Sequence, residues 1–114
     1  MPYLTLQTNQ KIDDASAQQL IKQASSLVAS ELGKPEQYVM VALPPPVPML
    51  FAGSDEPTAY LELKSIGLPA SRTQELSSAL CQLVEDHTQI SKQRIYIEFA
   101  DAPRAMWGWN GATF

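Results

Sequence analysis

Few side chains in this 114-residue sequence have the type and spacing that chemistry requires, and most of those stand alone. The one histidine, His87, has no second histidine to pair with, and its place near a helix end suits a charge at a helix C-terminus. The one cysteine, Cys81, excludes an internal disulfide and any site built from several thiolates; beside an apolar helical stripe it reads as an inert buried thiol. There is no phosphate-binding loop, no dinucleotide glycine fingerprint and no Ser-His-Asp set. Three features remain. Pro2 opens the alternating stretch Tyr3-Leu4-Thr5-Leu6. Proline lacks an N–H and is tolerated at the first position of a strand. If Met1 is removed, Pro2 also carries a free secondary amine, held by its own ring and able to accept a proton. Lys34, in Gly33-Lys34-Pro35, follows a helix stop, where it either neutralises the helix C-terminus or offers an anchored cation to an anion. The tail from Met106 to Phe114 holds two tryptophans and a phenylalanine, a density that calls for core, neighbouring subunit or ligand to pack against. Outside these three, Pro44-Pro45-Pro46-Val47-Pro48 contains a PxxP pattern, readable as a ligand for an SH3-like domain and more simply as a stiff connection.

The elements that must position these residues come from a duplication. Tyr3-Leu4-Thr5-Leu6 recurs 57 residues later as Tyr60-Leu61-Glu62-Leu63, with Pro2 matched by Ala59. At the same offset Gln37-Tyr38-Val39-Met40 aligns with Arg94-Ile95-Tyr96-Ile97. Between them, Leu20, Ala24, Leu27 and Val28 answer to Leu76, Leu80, Leu83 and Val84 at an offset of 56. Residues 1–57 and 58–114 are thus two halves of one domain, each reading strand, helix, strand. Ser16-x-x-Gln19 and Ser71-x-x-Gln74 are expected to start the helices as capping boxes, and Gly33 to end the first in the left-handed conformation. A strand–helix–strand unit of this length implies a parallel crossover. Two such units predict an α+β fold: a four-stranded sheet with both helices on one face. The other face, bearing Tyr3, Thr5, Tyr60, Glu62 and Lys64, is amphipathic and invites oligomerisation.

Composition narrows the function. Eight Lys+Arg against 12 Asp+Glu give a net charge of −4, which argues against nucleic acid or an anionic membrane as partner. No apolar run approaches the ~20 residues that span a bilayer, and the N-terminal stretch lacks the basic region of a signal peptide. The expectation is a cytoplasmic single-domain protein.

Six stretches in order carry a more specific message: Gly33-Lys34-Pro35-x-x-Tyr38, Phe51-x-Gly53-Ser54-x-Glu56-Pro57, Ser65-Ile66-Gly67, Ile90-Ser91, Arg94-x-Tyr96-Ile97, and Gly108-Trp109-Asn110 with Thr113-Phe114. With Pro2 in place, the whole chain resembles the macrophage migration inhibitory factor family of the tautomerase superfamily. The resemblance implies a homotrimer with active sites between subunits. It implies removal of Met1, with the Pro2 nitrogen as catalytic base, and a substrate carboxylate bound by Lys34 with the backbone amide of Ile66. Tyr96 of a neighbouring subunit would lie near an aromatic substrate ring, and Tyr38, Trp109 and Phe114 would line the cavity. The chain departs from the family in four places. Thr58 and Leu61 replace a Cys-x-x-Cys pair, so thiol oxidoreductase activity is not implied. Lys64 stands where histidine is frequent. Trp107 replaces a valine and should reshape the pocket mouth. Glu98 replaces an asparagine that can hydrogen-bond the far end of a substrate. As a carboxylate it accepts only, so quinone-like carbonyls such as those of dopachrome esters should be poor substrates, unless Glu98 faces solvent or pairs with Arg104. The resulting expectation is a keto–enol tautomerase of small aromatic 2-oxo acids such as phenylpyruvate, using neither metal nor organic cofactor. A cytokine-like interaction protein with a vestigial pocket is the alternative.

Overall fold

Alternation of apolar and polar residues makes each long strand two-faced, and the structure follows it. The structure, a computed structural model, describes residues 1–114. Strand β1 (Tyr3–Thr8) buries Leu4, Leu6 and Thr8, and β3 (Ala59–Ile66) buries Ala59, Leu61, Leu63 and Ser65 on the same side. Helices α1 (Asp14–Leu32) and α2 (Thr73–Thr88) cover that side with Leu20, Ala24, Val28, Leu76, Leu80 and Val84, which join the strand leucines in one core. Each leucine so enclosed contributes about 1.5–3 kcal/mol over an exposed one. Strands β2 (Met40–Ala42) and β4 (Ile95–Ala102) complete a sheet of order β2-β1-β3-β4. Within each half the pairing is parallel, and β1 meets β3 antiparallel. The expected duplicated α+β sheet with two helices on one face is therefore present.

Two details differ from the sequence reading. The second strands are equivalent at an offset of 56, not 57. Tyr3 pairs with Met40 and Tyr60 pairs with Tyr96, so Met40 corresponds to Tyr96 rather than to Ile97. The left-handed helix ends at Gly33 and Gln89, both at φ 62°, and the 3-10 turns Glu36–Tyr38 and Lys92–Arg94 keep the same spacing. A one-residue slip exchanges the faces of a strand. The caps differ too. Asp13, not Ser16, caps α1, its carboxylate accepting from the Ser16 amide at 2.8 Å and the Ser16 hydroxyl at 3.0 Å. The 3-10 turn Ala70–Arg72 leads into α2, which has no side-chain cap.

The tail, given no element from sequence, closes into a hairpin of β5 (Gly108–Trp109) and β6 (Ala112–Thr113). Its turn residues Asn110 and Gly111 have φ 51° and 78°, the pair of positive angles that Asn-Gly supplies in a two-residue hairpin turn. No helix is long and apolar enough to cross a membrane.

Candidate active site

The first residues of β1, the turn after α1 and the tail hairpin meet at one corner of the sheet. They enclose a cleft of about 400 Å³, eight of whose eleven lining residues are hydrophobic. Pro2 lines it and is fully buried, its carbonyl accepting from the Met40 amide at 3.0 Å. Tyr38 arrives from the 3-10 turn, and Trp107, Trp109 and Phe114 from the tail. The Trp109 and Phe114 rings stack with centroids 5.6 Å apart, and Tyr38 meets Trp109 edge-on at 5.9 Å. The Phe114 amide donates to the Trp107 carbonyl at 3.2 Å, which extends the tail hairpin by one rung and holds Trp107 beside Phe114. The structure thus brings Pro2, Tyr38, Trp107, Trp109 and Phe114 together.

Lys34 stands beside this cleft without lining it. The α1 ending satisfies two carbonyls in its last turn, with Gly33 N–H donating to Ser30 and Lys34 N–H to Ala29, which fixes where the lysine stem leaves the chain. The side chain is half-buried and has no carboxylate within 4 Å. Its charge reaches the amine at the start of the chain. Burial first, and Lys34 second, lower the Met1 amino group from its ordinary 8.0. Both causes disfavour an ammonium ion at this corner. With Met1 attached, the Pro2 nitrogen is an amide and has no basic lone pair.

Ile66, at the end of β3, lies two residues past the last pairing with β1, Tyr3 with Lys64, and is buried outside the cleft wall. Tyr96 and Glu98 are not at this corner at all. They lie on the open face of the sheet, opposite Tyr60 and Glu62 in register. By register, Tyr96 lies two strand spacings across and five residues along from Pro2, and Glu98 two across and three along, roughly 19 and 14 Å. One chain cannot close a small-molecule site around both groups. Tyr96 is 65% exposed, with Phe51 edge-on at 4.8 Å, and Trp109 and Met40 are also largely exposed. Glu98 has no ion pair with Arg104. It faces the Tyr60 hydroxyl, whose proton is held more tightly by burial and by the charges of Glu98 and Glu62. Lys64 pairs with Glu62 at 3.4 Å.

The remaining candidates behave as structural groups. His87 Nδ1 lies 2.9 Å from the Leu83 carbonyl, one turn back in α2. Cys81 is buried and its thiol is pushed up, chiefly by burial. No three of His, Cys, Asp and Glu converge as a metal-ligand set. Two residues whose roles the sequence conceals are Asp101 and Arg94. Asp101 accepts from the amides of Gly67 and Leu68, at 2.9 and 3.1 Å, and so holds the turn after Ile66. Arg94 binds four backbone carbonyls of the loop before β3.

Comparison with known proteins agrees over the full length. Residues 1–114 match the family model described as macrophage migration inhibitory factor (MIF). The chain is 39% identical over 115 residues to a macrophage migration inhibitory factor homolog of Brugia malayi, covering 100% of this chain and 99% of the other. Among solved structures it is similar to the homologue from Prochlorococcus marinus, with 46% identity, 98% of both chains covered and a TM-score of 0.92. The Toxoplasma gondii protein has 32% identity, 98% and 99% coverage, and a TM-score of 0.93.

Proposed function

Because the chain belongs to the macrophage migration inhibitory factor family, within the tautomerase superfamily, we propose that it is a cytoplasmic keto–enol tautomerase of small aromatic 2-oxo acids such as phenylpyruvate, working as a homotrimer without a cofactor. The observation that carries this reading is the corner itself. A fully buried Pro2, an unpaired half-buried lysine and an aromatic cleft meet where an amine is held below its ordinary basicity.

Removal of Met1 turns the Pro2 nitrogen into a secondary amine at a corner where burial and Lys34 disfavour the ammonium form, which favours its use as a base. Towards the enol it takes a proton from the carbon beside the keto group, and the enolate oxygen takes one from the ammonium or from water; towards the ketone the enol oxygen gives up its proton and the ammonium delivers one to carbon. No atom is gained or lost. Lys34 binds the carboxylate, with the Ile66 amide beside it, and fixes which carbon faces Pro2. Tyr38, Trp107, Trp109 and Phe114 receive the ring. Tyr96 and Glu98 reach the substrate only from a second copy, which explains why large aromatic and apolar groups are left exposed on the sheet side of the chain.

Three measurements test the reading on one sample. Intact mass is expected to lack Met1. The ultraviolet absorbance of phenylpyruvate enol is expected to decay faster with protein than without. Sedimentation equilibrium is expected to give three chains per particle. A pure Met1-free protein that leaves the enol untouched would sink the enzymatic reading and leave the interaction role.

A further inference from the structure

Arg94 has no carboxylate within 4 Å and directs its donors at backbone. Its Nε donates to the Pro57 carbonyl at 2.9 Å and Nη1 to Phe51 at 3.1 Å, while Nη2 donates to both Ser54 and Glu56 at 3.1 Å. Four bonds from one side chain thus converge on residues 51–57, a segment whose only regular feature is the Phe51–Ser54 bridge. That bridge closes a turn with Ala52 at φ 53° and Gly53 at φ 74°. Ala52 is sterically disfavoured there, so the turn depends on what surrounds it. The Arg94 guanidinium also covers the Phe51 ring, Cζ lying 5.1 Å from its centroid, and the same ring meets Tyr96 edge-on at 4.8 Å. Tyr96 is otherwise largely in the open.

We infer that Arg94 is a positioning residue: by clamping the 51–57 loop it sets Phe51 against Tyr96 and fixes the direction in which that tyrosine is presented to a neighbouring copy's cleft. The inference rests on the reading of Tyr96 as a wall for the substrate ring. It follows that Arg94 acts on recognition of the ring and leaves proton transfer at Pro2 alone. Its acceptors are loop carbonyls near the surface, which water can serve when the side chain is removed, so the core survives its loss. Lysine offers three donors without the planar fork and replaces the clamp only in part. Phe51→Leu keeps the loop and its carbonyl bonds while deleting the ring contact.

The test uses the full trimeric protein. Arg94→Gln is expected to speed amide exchange at residues 53–56, leave the core amides of Leu4 and Leu61 protected, and shift the Tyr96 ring resonances. It should raise KM for phenylpyruvate enol about tenfold with kcat within about twofold, and leave KM for the enol of a small aliphatic 2-oxo acid unchanged. Such a change in KM corresponds to about 1.4 kcal/mol. Phe51→Leu should reproduce the KM effect without loosening the loop, the double variant should lose no more than either single one, and Arg94→Lys should recover part. An Arg94→Gln protein with a loosened loop and an unchanged KM ratio overturns the inference, as does an equal loss of kcat on both substrates. If the wild type does not turn over phenylpyruvate, the enzymatic reading falls with the kinetic arm. The Tyr96 resonances then decide the contact, and unshifted signals refute the positioning role.

Discussion

The two halves of the sheet present equivalent corners that are filled in different ways. At the first, Pro2 precedes β1 and lines a cleft, and the residue after the helix stop is Lys34. At the second, the equivalent of Pro2 is Ala59, 2% exposed, and the residue after the stop is Ile90, wholly buried in the core. The backbone is nearly the same, with a left-handed residue at φ 62° and a 3-10 turn three residues on in both. What differs is the covering. At the first corner Tyr38 and the tail hairpin line a cleft, whereas at the second the counterpart of Tyr38 is Arg94, whose donors are taken up by the 51–57 loop. A site here is therefore one copy of a repeated unit left unfilled, with a cation where its twin has a hydrophobe.

The largest expected effect comes from removing what the second corner never had. Pro2→Ala gives the first corner the residue of its twin, and a primary amine without the ring's fixed geometry. Ketonisation of phenylpyruvate enol should fall by about 10²–10⁴-fold in kcat/KM, the range of a lost general base, with far-ultraviolet dichroism unchanged. Wild-type turnover in this variant would mean that Pro2 is a structural start to the strand and nothing more.

Lys34→Ile copies Ile90 and should act on binding and on pH together. Loss of a charge-assisted hydrogen bond to carboxylate, about 1.5–3 kcal/mol, raises KM by about 10–150-fold. The sign of the pH effect follows from the cause. Lys34 disfavours the neighbouring ammonium, so its removal raises the amine pKa and moves the acid limb of the pH–rate profile to higher pH. Burial, the larger cause, remains, so the limb should stay below that of a free amine. A limb that does not move would place Lys34 outside electrostatic reach of the base.

On the open face the comparison can be sharpened through substrate choice. Glu98→Asn supplies a donor where the carboxylate only accepts, and should raise the rate on a dopachrome ester relative to phenylpyruvate a few-fold, about 1 kcal/mol. An unchanged ratio would assign specificity to another residue, Trp107 first.

The smallest effect separates the two helix ends. Gly33 and Gln89 adopt the same left-handed angle, but only glycine does so without a steric penalty. A Cβ at Gly33 would meet nothing within 4 Å, so Gly33→Ala isolates the backbone term and should cost about 1 kcal/mol in urea unfolding. Gln89→Gly should gain about as much.

Much of this was legible from residue types. Helical stripes repeat every 3.6 residues over several turns, so α1, α2 and their offset of 56 could be read directly. Strand β2 spans three residues, too few for alternation to fix its phase, and its match to β4 slipped by one. Pro2, Lys34 and the aromatic tail advertise themselves by chemistry. Arg94 and Asp101 do not, because their partners are backbone groups 33 to 43 residues away in sequence, which leave no mark in side-chain type. Tyr96 and Glu98 could be placed on a strand from residue types, whereas their place at a cleft came from the family resemblance alone and lies outside what one chain encloses.

Cys81 is the only thiol, and it sits inside the core on α2 with its ionisation suppressed by burial. Thiol reagents attack the thiolate, so in the folded chain the sulfur is shielded both by access and by protonation. Labelling then proceeds through opened molecules alone. Its rate is a clock for how often α2 lifts from the sheet, readable by mass without any engineered probe. Because Cys81 packs into the core that both halves build, the clock reports on the fold that they share.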